Sequence, residues 1–249
     1  MEGREEGRSL TVGGIRFDLK LTAVIVVTTL LVLIDKYHAV TASFARLGPA
    51  FRHFASGMSV YVYDQVLLYL VVPLVLILLL FRESPGRYGV RLGKWREGLV
   101  WMGVICPIMA LILWFLVPHS NMQQHYSQAF YGGGASSAFS AGAVRPSAGG
   151  GQWMMLYFSV MALLPWEFLW RGFYLFSTAR VTGPGPAILF QAVPFALLHV
   201  GAPEVETMST IFGGIGFGFI AWRTQSFVYG FLIHVFILVW TNLLASGVL

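Results

Sequence analysis

The sequence has few charged residues and almost no cysteine, and both shortages narrow the class of protein. Charged residues make up 11% of the 249 residues and hydrophobic residues 57%. This composition provides too little polar surface for a water-soluble domain. The single cysteine, Cys106, has no partner for a disulfide, a zinc–cysteine site or cysteine-pair redox chemistry. We therefore predict a polytopic membrane protein in which Cys106 only fills an apolar helix.

Several motifs that would define other functions are also missing. The chain has no GxSxG for a serine nucleophile and no HExxH for a helical zinc site, and Tyr63-Asp64 has no GxGD partner. The net charge of +5 comes from basic residues scattered around apolar spans, without the continuous basic face that nucleic acid requires. These absences exclude three common intramembrane protease designs and predict no nucleic-acid partner.

Long apolar runs are the dominant feature of what is present. A hydrocarbon core of about 30 Å needs roughly twenty apolar residues per helix. The candidate spans are 20–40, 62–81, 98–117, 152–178, 186–201, 206–222 and 226–246. We predict an all-α, polytopic membrane helix bundle of about seven transmembrane helices, forming a single integral membrane domain over 1–249. In the sixth span, Gly214 and Gly218 form a small-xxx-small pattern that lets two helices approach closely.

Basic residues between the spans predict the orientation. With the N-terminus inside, the inner connections carry twelve of the 16 Lys and Arg residues and the outer ones four. We expect a cytoplasmic N-terminal segment (1–19) without a cleaved signal peptide. A basic cytoplasmic connection (82–98) either lies against anionic lipid headgroups or is simply solvated. A Gly/Ser-rich segment (119–152) is predicted to be a flexible outer loop, with His119 and His125 solvated.

Ionisable residues are concentrated in the C-terminal third. Past residue 98 the chain has only three acidic residues, and two histidines lie in apolar spans of the same region. These residues are Glu167, Glu204, Glu206, His199 and His234. Glu167 and Arg171 are four residues apart and share a helix face, where burying either charge alone is costly. From the helical rise, Glu167, His199 and His234 are expected near mid-membrane.

Two interpretations of these residues follow from their chemistry. Glu167, His199 and His234 are candidate ligands for a divalent metal, with zinc preferred for nitrogen and oxygen donors. Equally, Glu167 and Arg171 could be a structural pair and the histidines hydrogen-bonded core residues. Glu204 and Glu206 follow Pro203, so exposed first-turn acids are expected there.

The order of these residues resembles a known family. Glu167-xxx-Arg171, Phe195-xxx-His199 and His234 resemble the motifs of the CPBP intramembrane proteases (CAAX protease and bacteriocin-processing, or Abi, family). The stretch GGIGFGFIAWRTQSFVYGFLIH is similar to the glycine-rich helix, turn and histidine helix of its bacterial members. The resemblance covers roughly 82–246, with a motif-bearing core over 152–246.

The resemblance implies a function and a role for each residue. The protein would be a metal-dependent, glutamate-assisted endopeptidase of the bacterial cytoplasmic membrane that acts on a membrane-associated or lipid-modified peptide. Glu167 and His199 would activate a water, Arg171 would hold the carboxylate, and His234 would assist or stabilise the oxyanion. Leu238 stands where the family commonly has an asparagine. Asn242 lies on nearly the same face about 6 Å further along and is the candidate replacement.

Trp166 is the second departure from the family pattern. The first motif usually begins with two adjacent glutamates, and here Trp166 takes the first place. We interpret the single glutamate as a trait of a bacterial subgroup, which leaves open whether Glu167 or the nearby Glu204 activates water. The alternative is a catalytically inactive member that binds a peptide or scaffolds a partner. A transporter is disfavoured because no inverted repeat is evident.

Overall fold

Helices dominate the computed structural model, which describes residues 8–37, 40, 58–131 and 151–247. Within these ranges the α-helices are α1 Leu19–Tyr37, α2 Met58–Gln65, α3 Val72–Val75, α4 Trp95–Leu116, α5 Met122–Tyr131, α6 Gly151–Glu167, α7 Leu175–Thr182, α8 Pro184–Leu197, α9 Glu204–Thr224 and α10 Val228–Ala245. A short antiparallel hairpin of β1 (Ser9–Val12) and β2 (Ile15–Asp18) precedes them. The predicted all-α class is confirmed, and the hairpin is an addition that the sequence did not predict.

Four helical segments of the described chain are long and apolar enough to cross a membrane. They are Val62–Leu80, Trp95–His119, Glu204–Thr224 and Val228–Ala245, and Pro184–Leu197 is apolar but shorter. The outer face of α4 carries exposed Leu99, Val104 and Leu111, as a lipid-facing helix should. The protein is therefore an integral membrane helix bundle, while the count of seven spans remains a prediction.

A continuous helix runs from α6 through a π-helical segment, Phe168–Tyr174, into α7. The residues of the predicted fourth span are therefore helical, and the π-helical part is buried over Phe168–Phe173. A side chain at Gly172 would collide with the Phe168 ring and meet the Tyr88 carbonyl oxygen at 3.0 Å. π-helical turns occur often at functional sites because they re-aim the side chains that follow. Here the turn begins directly after Glu167.

The glycine pattern of α9 packs this helix against α8. A Cβ atom at Gly214 would lie 3.1 Å from Ala192, and one at Gly218 would lie 2.7 Å from the Gln191 amide nitrogen. Gln191 Nε2 donates a hydrogen bond to the Gly214 carbonyl at 2.7 Å. This close approach confirms the small-xxx-small prediction and sets the position of the last turn of α8, from which the chain leads into His199.

The connection between residues 82 and 98 is folded against the turn that joins α9 to α10. Lys94 N donates to the Thr224 carbonyl at 2.8 Å, and Arg91 Nε donates to the Gln225 carbonyl at 3.1 Å. Gly93 has φ +55°, and a side chain there would collide with the Thr224 carbonyl. Several of its basic residues are thus engaged within the protein.

Glu83 joins this connection to two helices. Its carboxylate accepts hydrogen bonds from Lys20 of α1 at 2.7 Å, from Arg180 of α7 at 2.8 Å, and from the Tyr88 hydroxyl. Burial by itself raises the pKa of Glu83, but the hydrogen bonds from Lys20 and Tyr88 and the charge of Arg180 outweigh it. The pKa is lowered to about 2.

Stability should therefore fall in acid as Glu83 takes up a proton. Because the folded pKa is below the reference value of 4.5, the contribution is present above pH 4.5 and lost as the pH falls toward 2. We expect Glu83→Gln to cost on the order of 1 kcal/mol at pH 7, a value discounted for solvent screening. Thermal unfolding in detergent from pH 7 to pH 2 measures both effects. Glu97→Gln, which removes exposed ion pairs, should change the midpoint less.

Candidate active site

Glu167 lies at the centre of the site, fully buried at the end of α6. Its Oε1 atom accepts hydrogen bonds from Arg171 Nη1 at 3.0 Å and from His234 Nδ1 at 2.7 Å. The first contact confirms the shared helix face predicted from the four-residue spacing. The second brings α10 onto α6 and unites two of the three residues that were expected to converge.

Aromatic rings enclose the guanidinium of Arg171, which is also fully buried. Its Cζ atom lies 3.8 Å from the Phe195 ring centroid and 5.3 Å from that of Phe217. Among the described residues, Arg171 Nε and Nη2 have no hydrogen-bond acceptor. Glu167 and the two ring faces therefore stabilise this charge.

His199 lies in a turn and not within an apolar helix, which corrects the sequence prediction. The helix α8 ends at Leu197, and Gly201, with φ +105°, helps the chain to turn into α9. His199 Nδ1 is 2.7 Å from the Phe195 carbonyl oxygen, and Thr207 Oγ1 donates to the His199 carbonyl at 2.8 Å. The turn places the ring at the end of α8 and beside α9.

These contacts determine the tautomer of both histidines. A carboxylate and a carbonyl oxygen can only accept, so each neutral imidazole carries its proton on Nδ1. The lone pair of each ring is then on Nε2. His199 and His234 both line one cavity, so the site offers two basic nitrogens beside it.

A set of aromatic rings holds the two histidines together. The Phe195 ring centroid is 4.7 Å from that of His199 and 6.3 Å from that of His234. Trp166 meets His199 edge to face at 6.0 Å. The position where the family commonly has its first acid is thus beside His199, and here it is aromatic.

The cavity that both histidines line has a volume of about 880 Å³. Its walls are mainly apolar, with Leu163, Leu238 and Ile237 among the lining residues. Besides the two histidines, its polar lining includes Asp35, Lys36 and Gln65 from the N-terminal helices and Glu206 with residues of α5. A large apolar pocket with a few polar groups is the usual form of a ligand site.

The helix α5 corrects two predictions about the outer loop. Residues Met122–Tyr131 are helical instead of flexible, and Met122, His125 and Tyr126 line the cavity. His125 is therefore not a solvated loop residue, whereas His119 is exposed as expected. The part of this segment between 132 and 150 lies outside the described residues.

The structure separates the two acids that follow Pro203. Glu204 is exposed and absent from the cavity wall, whereas Glu206 is half-buried, lines the cavity and accepts a hydrogen bond from Tyr126 Oη at 2.7 Å. The prediction of an exposed acid is therefore wrong for Glu206. A heptad-like spacing from Glu206 through Gly213 to Ile220 places all three on the cavity face of α9, and that pattern could have identified it.

Asn242 is buried but turned away from the cavity wall. Its Nδ2 donates to the Leu238 carbonyl at 2.7 Å, and Leu238 itself lines the cavity. Apolar Leu238 thus lies against the cavity at the position where an asparagine is common in the family.

The predicted zinc site does not fit the arrangement of the side chains. Over the described ranges, no three His, Cys, Asp or Glu side chains are placed to hold a metal ion. Glu167 Oε1 bonds Arg171 and His234, Oε2 is buried without a described partner, and Glu167 does not line the cavity. That leaves two imidazole nitrogens at the cavity, where zinc normally takes three or four protein ligands. No step proposed below involves a metal.

A buried carboxylate bonded to an imidazole, beside an apolar cavity in an integral membrane bundle, is a candidate functional site, because ionisable groups there are costly to bury. Residues 149–240 match the family described as Rce1-like, type II CAAX prenyl endopeptidase. The match covers less than half of the chain and supports the resemblance of this region to the CAAX protease family. It includes Glu167, Arg171, His199 and His234 and ends before Asn242. Comparison with curated proteins and with solved structures found no significant match.

Removing the charge of Arg171 should destabilise the bundle strongly. Arg171→Met would leave Glu167 buried without its cation, at a cost of about 3–5 kcal/mol. The double variant Glu167→Leu/Arg171→Met should recover most of this loss, because no charge is then left unpaired. Thermal unfolding of the single and double variants in one detergent gives the coupling free energy between Glu167 and Arg171. Additive losses would show that the two side chains do not act as a pair.

Metal content provides a separate test of the site. Because the described side chains offer two available nitrogen ligands, we expect the gently purified protein to retain well under one zinc per chain. Elemental analysis after detergent extraction without chelator measures the ratio. A ratio of one that falls on His199→Ala and His234→Ala substitution would restore the zinc prediction.

Proposed function

We propose that this protein is an intramembrane endopeptidase that cleaves a membrane-associated or prenylated peptide, with a water activated by His234 as the nucleophile. The hydrogen bond of 2.7 Å between His234 Nδ1 and Glu167 Oε1 carries the proposal. It orients the ring, and it places a negative charge where the ring becomes positive on taking a proton. Carboxylate–imidazole pairs of this kind serve as general bases in many hydrolases.

The reaction follows from the two tautomers. His234 Nε2 accepts one hydrogen of the water, and His199 Nε2 accepts the other and positions the oxygen toward the substrate carbonyl. As the water oxygen attacks the carbonyl carbon, its proton moves to His234 Nε2. When the C–N bond breaks, that proton passes to the leaving nitrogen, so the products are a carboxylic acid and an amine.

Glu167 and Arg171 act through His234 in this scheme. Glu167 is fully buried, with no exposed surface for a water, and its Oε1 atom already bonds both neighbours. It is therefore a positioning residue that stabilises the imidazolium, and Arg171 keeps it ionised in hydrocarbon. This assignment differs from the roles implied by the family resemblance, in which the glutamate itself activates water.

The cavity supports a lipidated substrate. Its volume of about 880 Å³ and its apolar walls suit a peptide that carries an isoprenoid chain. A catalytic site inside the helix bundle would also exclude bulk water from the reaction. The distribution of basic residues supports an N-terminus on the cytoplasmic side, and the resemblance to bacterial members of the family supports a bacterial cytoplasmic membrane.

Trp166 favours one alternative, a non-catalytic protein that binds the same peptide. Its ring stands beside His199 where the family commonly has an acid, and it could hold a ligand by stacking. Binding of a prenylated peptide without any cleavage by the wild-type protein would support this alternative.

The endopeptidase is tested with a prenylated peptide in proteoliposomes. Glu167→Ala, His199→Ala and His234→Ala should each lower turnover by about 10²–10⁴-fold, the usual contribution of general acid–base catalysis. His119→Ala is the matched control, because that exposed ring also bonds the carbonyl four residues earlier but lies outside the cavity wall. Wild-type turnover in all three site variants would rule out the proposal.

A further inference from the structure

Glu206 is a cavity-lining carboxylate that the proposed mechanism does not use. It lies in the first turn of α9, half-buried, in the wall of the cavity that also contains His199 and His234. Its Oε2 atom accepts the hydrogen bond from Tyr126, which fixes the side chain from α5. Among the described residues its Oε1 atom accepts no hydrogen bond, and Glu206 forms no ion pair. One oxygen is therefore held and the other is available to the cavity.

The other ionisable groups in the cavity wall do not neutralise this carboxylate. Asp35 and Lys36 are neighbours of opposite charge that interact with each other. Burial lowers the pKa of the His125 imidazole, which disfavours its charged form. His199 Nδ1 faces the Phe195 carbonyl and His234 Nδ1 faces Glu167, so neither nitrogen bonds Glu206. Among the described residues, no Lys, Arg or His side chain forms a hydrogen bond or an ion pair with Glu206.

An unpaired carboxylate in an apolar cavity is costly unless a ligand pairs with it. The remaining wall near it is supplied by Ser209 and Thr210, which are neutral. A cationic group that entered the cavity would replace the lost hydration of Glu206 with an ion pair in a low dielectric. The ligand group expected beside Glu206 is therefore cationic.

We propose that Glu206, fixed by Tyr126, is the subsite that binds a lysine or arginine side chain of the peptide substrate. This inference rests on the proposed function for the substrate class. It makes Glu206 a specificity-determining residue, separate from the His234–Glu167 pair that performs the chemistry. Glu204, two residues earlier, is exposed and outside the cavity wall, so it should not share this role.

The test uses the full-length protein in detergent and a set of fluorescent farnesylated peptides. Each peptide carries lysine, norleucine or glutamate at one of the three positions before the modified cysteine. Binding is measured by fluorescence anisotropy and cleavage by the release of the C-terminal fragment. For at least one position, the wild-type protein should bind the lysine peptide about tenfold more tightly than the norleucine peptide, as expected for a partly buried charge pair.

Three variants decide the assignment. Glu206→Gln should abolish the preference for lysine over norleucine while leaving the affinity for the norleucine peptide within about twofold. Glu206→Lys should reverse the preference in favour of the glutamate peptide, a gain that a misfolded protein cannot show. Glu204→Gln should keep the wild-type preference for lysine. If Glu204→Gln loses this preference while Glu206→Gln keeps it, the proposal is overturned.

Binding and cleavage separate this inference from the proposed function. A lysine preference in binding without cleavage would leave the subsite standing and refute the endopeptidase. Cleavage with equal affinity for lysine and norleucine at all three positions would refute the subsite and leave the endopeptidase. An unchanged lysine preference in Glu206→Gln would also refute the subsite.

Discussion

Glu167 is buried in a place that solvent does not reach, and side chains from four helices meet around it. Arg171 neutralises it from the next turn, His234 donates to it from α10, and α8 and α9 supply Phe195 and Phe217 to cover the guanidinium. A lone carboxylate in hydrocarbon would be too costly to maintain. The close packing of α8 on α9 therefore stabilises the Glu167–Arg171 pair as well as the helix bundle.

The contacts that satisfy the buried charge also prepare the chemistry. Because Glu167 and the Phe195 carbonyl can only accept, His234 and His199 present Nε2 as a base. The same burial keeps the Glu167 carboxylate out of the cavity wall. Trp166 lies beside His199 at the position where the family commonly has a second acid, and this is why the proposed mechanism assigns the proton to His234.

The cavity links the chemistry to a part of the chain far away in sequence. The helix α5 contributes Tyr126, whose hydroxyl reaches Glu206 on α9, 80 positions later in the chain. The same apolar cavity is lined by the two histidines and by this carboxylate. A substrate with an apolar tail and a basic side chain would be bound in one orientation, which brings one bond toward His234.

The sequence alone determined the membrane-protein class, four of the predicted spans and the pairing of Glu167 with Arg171, because these follow from apolar length and from spacing within one helix. The motif order also indicated the family before any geometry. Only the tertiary structure showed that His199 lies in a turn and that Glu206, not Glu204, lines the cavity. It also showed that Asn242 is absent from the cavity wall and that α5 is part of it. Those outcomes depend on how each helix is rotated against its neighbours and where it ends, and contacts between distant segments decide both.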